Sequence, residues 1–389
     1  MAEIRLKPGW KTWRFDQIAV NINDRIDNPS EADVEHYVGL EHLDPDSLKI
    51  RRWGVPSDVE ATKLCFRKGD IIFGRRRVYQ RKLAVAEFDG ICSAHAMVLR
   101  PKTDVVLPEF LPFFMQSDLF MTRALEISVG SLSPTINWKT LAAQEFALPP
   151  LEEQRRIAEL LWAYEETLDT LKESRRSLNQ MFEPFLDALT QPQSDWKNQS
   201  LGDVALIKIE KVHIEPGREY PLSGVLGFGQ GLFHSGQVDQ ASTKYRFLHR
   251  LHTDQLVLRK ITAWESPIAI VTSEYDGTYV SPEFPTFQLD GGRLLPRYMS
   301  LLTRTPHFVR EMQSRCTGTL VRRMRLNPKD LLKIPILLPS VAVQETMCNE
   351  YERFLASSKA IDERISLLTL TKTKQLNRII EPMRFPARL

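Results

Sequence analysis

Leu148-Pro149-Pro150-Leu151-Glu152-Glu153-Gln154 opens a long helical pattern, and the pattern occurs twice in the chain. Downstream of it, Ile157, Leu161, Tyr164, Leu168, Leu171, Arg175, Leu178, Phe182, Phe185 and Leu189 are spaced by alternating steps of four and three. That is the heptad seam of a helix that packs on another helix, with Arg175 as a charged interruption. Adding 190 to each number gives Met347, Tyr351, Phe354, Ser358, Ile361, Ile365, Leu368, Lys372, Gln375 and Ile379, in the same register. The second copy has a related lead-in, Leu337-Leu338-Pro339-Ser340, followed by Gln344. Each helix closes one half of the chain, and two such seams can bury each other. The expected result is a rod with one globular domain attached to each helix. Positions 157–189 would span about 50 Å at 1.5 Å per residue. Pro184 lies inside the pattern and predicts a kink or an end near Phe182.

Working outward, the two halves repeat each other. Trp10-Lys11-Thr12-Trp13 opens the first and Trp196-Lys197-Asn198 the second. Lys68-Gly69-Asp70-Ile71-Ile72-Phe73, a turn and strand, corresponds to Thr253-Asp254-Gln255-Leu256-Val257-Leu258. Asp89-Gly90 is matched by Asp276-Gly277, and the helix start Leu107-Pro108-Glu109-Phe110 by Leu295-Pro296-Arg297-Tyr298. The Gly/Ser loop from Val129 to Asn137 has its counterpart between Thr317 and Pro328. The offset drifts only from 185 to 190, which reads as a duplicated domain rather than a solenoid. The predicted class is α+β, with mixed α/β domains at 1–150 and 191–340 and long helices at 151–190 and 341–384. Thr190-Gln191-Pro192-Gln193-Ser194-Asp195 reads as a linker.

A chain of 389 residues suits two or three domains. Its 42% hydrophobic and 26% charged content is ordinary for a globular protein. No apolar run reaches the roughly 18 residues of a membrane span, and the N-terminus lacks a signal peptide's apolar core. Cys65, Cys92, Cys316 and Cys348 are scattered without a CxxC, which argues against a zinc site or a disulfide frame and fits the cytoplasm.

Net charge is only +3, so the clustering of charge carries the information. Arg67, Lys68, Arg75, Arg76, Arg77, Arg81 and Lys82 crowd together with Asp70 as the only acid, and Phe73 and Tyr79 interleave. Arg51, Arg52 and Trp53 add a second basic-aromatic point. In the second half the clusters are Lys244 and Arg246, His249-Arg250-Leu251-His252, Arg259 and Lys260 with Trp264, and Arg315, Arg322, Arg323 and Arg325. Arginines near strands and loops suit phosphate contacts and bidentate readout of guanine edges. A solvated surface strand is the plainer alternative; the density of arginine favours double-stranded DNA. Ser131 and Ser133 of the Gly/Ser loop join these candidates. The basic clusters do not match between halves although the apolar frame does, as expected of two domains doing one job on different targets.

Catalytic motifs are missing. There is no Asn-Pro-Pro-Tyr or Asp-Pro-Pro-Tyr, no GxSxG elbow and no Walker loop. Gly227-Phe228-Gly229-Gln230-Gly231 reads as a turn rather than a cofactor loop, because no helix pattern follows it. His249 and His252 lack the further ligands a metal would need. On the first long helix, Trp162 lies off the seam; with Glu153, Gln154 and Gln344 it is a candidate for partner binding.

The twofold repeat, the Lys-Gly-Asp-Ile-Ile-Phe turn, the Gly-Ser loop with Asn137-Trp138, and above all Leu148 through Ile157 resemble the specificity subunit of type I restriction-modification enzymes. The resemblance covers nearly the whole chain. The second copy departs from it, keeping only the proline and glutamine of the helix entry and replacing Lys-Gly-Asp by Thr253-Asp254-Gln255. The resemblance implies two target recognition domains, each reading half of a bipartite DNA site. It implies that the two helices pack as an antiparallel coiled coil and fix the spacer. It also implies two methyltransferase subunits carrying S-adenosylmethionine, with a restriction subunit able to join, no cofactor bound by this chain, and no catalysis by the chain itself. A related bipartite-site system of type IIB character is the alternative. A self-sufficient methyltransferase or nuclease, or a mimic that binds the methyltransferase without reading DNA, stands against it.

Overall fold

The computed structural model describes residues 4–191, 195–319, 324–381 and 383–384. The chain has a mixed α/β fold in two compact units. One comprises the described residues of Met1–Lys172 and Glu363–Leu389, the other those of Glu173–Asp362. Each long helix therefore begins in one unit and ends in the other.

The first unit is built on a four-stranded antiparallel sheet in the order Ala19–Ile22, Ala96–Pro101, Ile71–Gly74, Leu83–Val85. The strand Ile71–Gly74 is buried along its whole length, and its side chains alternate between two cores. Ile71 and Phe73 join a cluster with Phe15, Phe110, Phe114 and Phe120 from the helical layer. Ile72 joins Val38, Leu64, Phe66 and Val98 on the other side. There a second sheet runs Arg25–Ile26, Lys63–Phe66, Gly90–Cys92, Tyr37–Val38, with its last pair parallel. The helical layer comprises Leu111–Gln116, Asp118–Glu126 and Trp138–Ala142.

The second unit repeats this order. Ala205–Ile207, Thr286–Leu289, Leu256–Leu258 and Ile268–Ile270 form its four-stranded sheet. Leu256 and Leu258 face one core and Val257 the other. Its second sheet follows the same order, Glu210–His213, Phe247–Arg250, Tyr279–Val280, Tyr220–Val225, and adds a fifth strand, Leu232–Val238. The parallel pair recurs between Tyr220–Val225 and Tyr279–Val280.

The long helices are Leu151–Ala188, of 38 residues, and Val341–Ile380, of 40. Pro184 does not end the first one, which runs on to Ala188. It sits just before the last turn, close to the end, where one missing backbone bond costs little. Beyond it Leu186 and Leu189 are buried in the core of the second unit, which holds the last turn in place.

All twenty seam positions read from the sequence are buried or half-buried. In the first unit Ile157, Leu161 and Leu168 are buried, as are Leu376 and Ile380 of the second helix. Lys372 forms a buried ion pair with Glu165, 3.4 Å from Gln116 Oε1 and 5.6 Å from the Phe113 ring centre. In the second unit Arg175 donates to both carboxylate oxygens of Asp362 at 3.0 and 3.1 Å. Phe182 stacks on Phe354 and Tyr351, with ring centres 4.6 and 5.6 Å away. These pairs run in opposite directions along the chain, so the helix segments of that unit are antiparallel.

Candidate nucleic-acid interface

The strand Ile71–Gly74 leaves the core and ends in three consecutive arginines. A single 3-10 turn, Val78–Gln80, follows, flanked by Arg77 (φ 59°) and Arg81 (φ 52°) in the left-handed region. Non-glycine residues adopt that conformation only where the surroundings over-determine it, at a cost of about 1–3 kcal/mol each. Here the loop before Trp138–Ala142 grips one side: Arg77 N donates to Pro134 O at 2.7 Å and Ile136 N to Arg75 O at 3.0 Å. On the other side Asp46 N donates to Arg81 O at 3.2 Å. Val78 is buried beneath the turn and Tyr79 is 53% exposed above it.

The second unit builds the same turn 185 residues later. Ala263–Glu265 is a 3-10 turn flanked by Thr262 (φ 54°) and Ser266 (φ 46°). Leu326 N donates to Lys260 O at 3.1 Å, matching the bond from Ile136 N to Arg75 O, and Ala263 N, one residue past the match of Arg77, donates to Met324 O at 3.1 Å. On the other side Phe228 N donates to Glu265 O at 2.7 Å, one residue before the match of Arg81. Ala263 is buried and Trp264 is 40% exposed. One backbone thus carries Arg75-Arg76-Arg77-Val78-Tyr79-Gln80-Arg81 in the first unit and Lys260-Ile261-Thr262-Ala263-Trp264-Glu265-Ser266 in the second.

Among the described residues, no carboxylate lies within ion-pair distance of Arg75, Arg76 or Arg77. Their contacts are to neutral groups: Arg76 lies 3.3 Å from His95 Nε2, and Arg77 Nε donates to Ser133 Oγ at 3.3 Å. Burial first, then the charges of Arg76 and Arg75, hold the His95 pKa below the ordinary imidazole value. The imidazole there stays neutral near pH 7 and offsets none of the positive charge. Ser131 is exposed beside Leu132, which is 90% exposed.

Several candidate cations are instead engaged by the protein itself, Arg81 and Lys82 half-buried and Arg51 at the surface. Arg81 donates to Asp46 at 2.6 Å, Asp118 at 3.0 Å and the Gln116 carbonyl at 2.5 Å. Lys82 donates to the Leu40 carbonyl at 2.7 Å. Arg51 joins Asp169 of the first long helix, as does Lys49 at 2.6 Å. Burial pushes the Asp169 carboxyl up, but the bonds from Lys49 and Arg51 outweigh it and hold it below the usual range. All three residues tie the domain together, and their head groups are already engaged.

Arg52 pairs with Asp44, Arg259 with Glu265 at 3.0 Å, and Lys260 and Arg325 with Glu283 at 3.7 and 3.8 Å. Such partly exposed pairs are worth about 0–1 kcal/mol, so a phosphate can displace them. Lys244 and Arg246 are exposed before the strand Phe247–Arg250. Arg322 and Arg323 lie outside the described residues.

The candidates for partner binding change more. Gln154 and Gln344 are fully buried. Gln154 accepts from Leu107 N at 2.8 Å and donates to Val105 O and Pro149 O at 3.1 and 2.9 Å. Gln344 accepts from Leu295 N at 2.9 Å and donates to Arg293 O and Pro339 O at 2.8 and 3.0 Å. These amides lock each helix entry to its own domain and present nothing to a partner. Glu153 accepts from Trp10 Nε1 at 3.2 Å. Trp162 donates to the Glu109 carbonyl at 3.1 Å and meets the Phe113 ring edge-on. One side of its ring still lines an open groove of about 680 Å³ with Leu107, Pro108 and Ala163.

Gly227–Gly231 connects two strands as a hairpin turn, closed by Leu226 N to Gly231 O at 2.9 Å. A Cβ at Gly227 would sit 2.9 Å from the Glu265 carbonyl, so this turn packs against the Trp264 turn. His249 binds the Phe284 carbonyl at 2.8 Å and His252 binds Glu210 at 2.5 Å, so the two imidazoles have different partners. Among the described residues no group of three or more potential metal ligands occurs, and no helix is long and apolar enough to cross a membrane.

Sequence reading had placed Trp264 among basic residues without matching it to Tyr79. The constant offset of 185 is the signal that links them.

Comparison with known proteins agrees with this geometry. Residues 58–180 match the family described as the type I restriction modification DNA specificity domain. The specificity subunit of type I restriction enzyme EcoDI from Escherichia coli is 30% identical over 165 residues, 41% of this chain and 36% of that protein. That of HindI from Haemophilus influenzae is 25% identical over 186 residues, 46% of this chain and 39% of that protein. The chain thus matches well under half the length of these curated relatives. Solved structures share the fold along nearly the whole chain. The HsdS subunit of Thermoanaerobacter tengcongensis gives a TM-score of 0.50 at 19% identity, covering 97% of each chain. The type I S subunit from M. genitalium gives 0.57 at 15% identity, covering 98% of this chain and 99% of that one.

Proposed function

We propose that this chain, which carries a type I restriction-modification DNA specificity domain at residues 58–180, is the non-catalytic DNA-recognition subunit of such a system. Each unit reads one half of a bipartite site. The two long helices pack as an antiparallel coiled coil, set the gap between the half-sites and carry two methyltransferase subunits. S-adenosylmethionine belongs to those partners, and a restriction subunit completes the assembly where cleavage occurs. The observation that carries this reading is the duplicated turn: one clamped backbone, presented twice, with different side chains. A shared frame with divergent flanking side chains suits two domains that bind the same polymer at different sequences. The arginines without carboxylate partners suit its phosphates and guanine edges.

The test is selection from a pool of random duplexes by the chain co-expressed with its methyltransferase. A two-part motif with one fixed gap is the expected product. Removing four residues within 157–182 shortens that helix by about 6 Å and should change the gap or abolish selection. An isolated chain that binds S-adenosylmethionine and methylates DNA would overturn the proposal.

A further inference from the structure

We infer that Tyr79 and Trp264 are paired base-contacting residues, one for each half-site, each carried on the tip of its clamped turn. The inference rests on the DNA-recognition reading above and names the residues through which it acts.

Four observations converge. The two residues are equivalent, 185 positions apart on turns with the same left-handed flanks, each held on two sides by backbone hydrogen bonds. Between those turns the charged and aliphatic side chains change, yet the exposed tip is aromatic in both. Neither tip is explained by packing: Tyr79 is 53% and Trp264 40% exposed, and among the described residues neither the phenol hydroxyl nor the indole N–H has a protein partner. Aromatic residues combine a large contact area with a polar handle that normally finds a partner. Finally, the turns are held rigid by hydrogen bonds on both sides. Little further ordering is needed to bind, which is where rigid aromatic contacts gain over flexible ones.

The surroundings identify duplex DNA as the occupant. Beside Tyr79, Arg76 and Arg77 face neutral groups among the described residues, so their charge is free for phosphates or for guanine O6 and N7. Beside Trp264, Arg325 is 60% exposed on its side chain and, among the described residues, its head group has one ion-pair contact, with Glu283 at 3.8 Å. The first unit's turn is arginine-rich. The second presents Ile261, Thr262 and Trp264, whose apolar surface suits a thymine methyl. The half-site read by the first unit should therefore hold a guanine next to the Tyr79 contact.

The experiment uses the complex of the full chain with its methyltransferase, as wild type, Tyr79→Ala, Trp264→Ala and the double variant. Binding is measured on the selected target and on a panel of duplexes with one base changed at a time. Each single variant should lower affinity about 5- to 100-fold and lose discrimination in one half-site only, a different half for each. Neither side chain is charged, so the dependence on salt should stay as in wild type. Both side chains are exposed, and unchanged melting of the complexes will show that folding is intact. Wild-type affinity and discrimination in both single variants would overturn the inference while leaving the recognition reading in place. Discrimination lost in the same half-site by both variants would also overturn it. A wild-type complex with no sequence preference would remove the reading beneath it as well.

Discussion

The two units hold their helix segments together by different chemistry at equivalent positions. In the first, Lys372 reaches Glu165 in a buried ion pair over the Phe113 ring. In the second, the matching position 190 residues earlier is Phe182, stacked on Tyr351 and Phe354. An aromatic stack contributes cohesion and tolerates small slips. A buried ion pair contributes little net stability, since desolvation offsets most of its attraction, but a shift that separates its members leaves two buried charges unpaired. The first unit therefore fixes which residues of the two helices meet through a buried pair, and the second combines the aromatic stack with the more exposed Arg175–Asp362 pair. If the helices set the gap between half-sites, the register is fixed at the Glu165–Lys372 pair.

The sharpest way to break this contrast is Lys372→Met. It leaves Glu165 buried and unpaired, and should cost about 3–5 kcal/mol in denaturant unfolding. Replacing both members with Glu165→Leu and Lys372→Met should recover most of that loss while loosening the choice of gap. A single variant that costs under about 1 kcal/mol would show that the pair is not desolvated in solution.

The glutamine cages test where the units are alike. Gln154→Ala strips partners from Leu107 N, Val105 O and Pro149 O, and Gln344→Ala does the same for Leu295 N, Arg293 O and Pro339 O. Each should cost about 1–3 kcal/mol, and the two costs should be similar. Unequal costs would mean that the duplicated helix entries are not energetically equivalent.

A third comparison lies within one turn. Arg76→Ala should weaken DNA binding by about 1–3 kcal/mol and relax specificity at one position, with stability unchanged. Arg81→Ala should lower stability, because it removes three internal bonds. Exchanged outcomes would reverse the division between reading and supporting arginines.

The smallest effect concerns pH. The Asp169 carboxyl sits below its ordinary value of about 3.9 because Lys49 and Arg51 outweigh its burial. Its contribution is fully present above that value and is lost as pH falls through the lower folded value. Wild type should therefore lose slightly more stability in acid than Asp169→Asn does, which acid titration of unfolding can measure.

Much of the frame was legible because it depends on periodicity. The alternating four-three steps placed the seam, including Arg175, and the near-constant offset revealed the duplication. What remained hidden depends on partners remote in sequence. Arg51 meets Asp169 across 118 positions, and Lys372 meets Glu165 across 207. A cation in a basic run looks alike in sequence whether a carboxylate waits for it or not. Gln154 and Gln344 looked like surface residues because glutamine is usually exposed. Their burial follows from the free backbone groups beside each helix entry, which need a side-chain amide. That the helix continues past Pro184 was not legible, because local rules ignore the core that holds the last turn beyond it.

The most direct test of the account is a map of adenine methylation on the DNA of cells that co-express this chain with its methyltransferase. Methylated adenines are expected within one two-part motif, with both halves required and a constant gap between them. Methylation within a single uninterrupted motif, or without sequence preference, would contradict it.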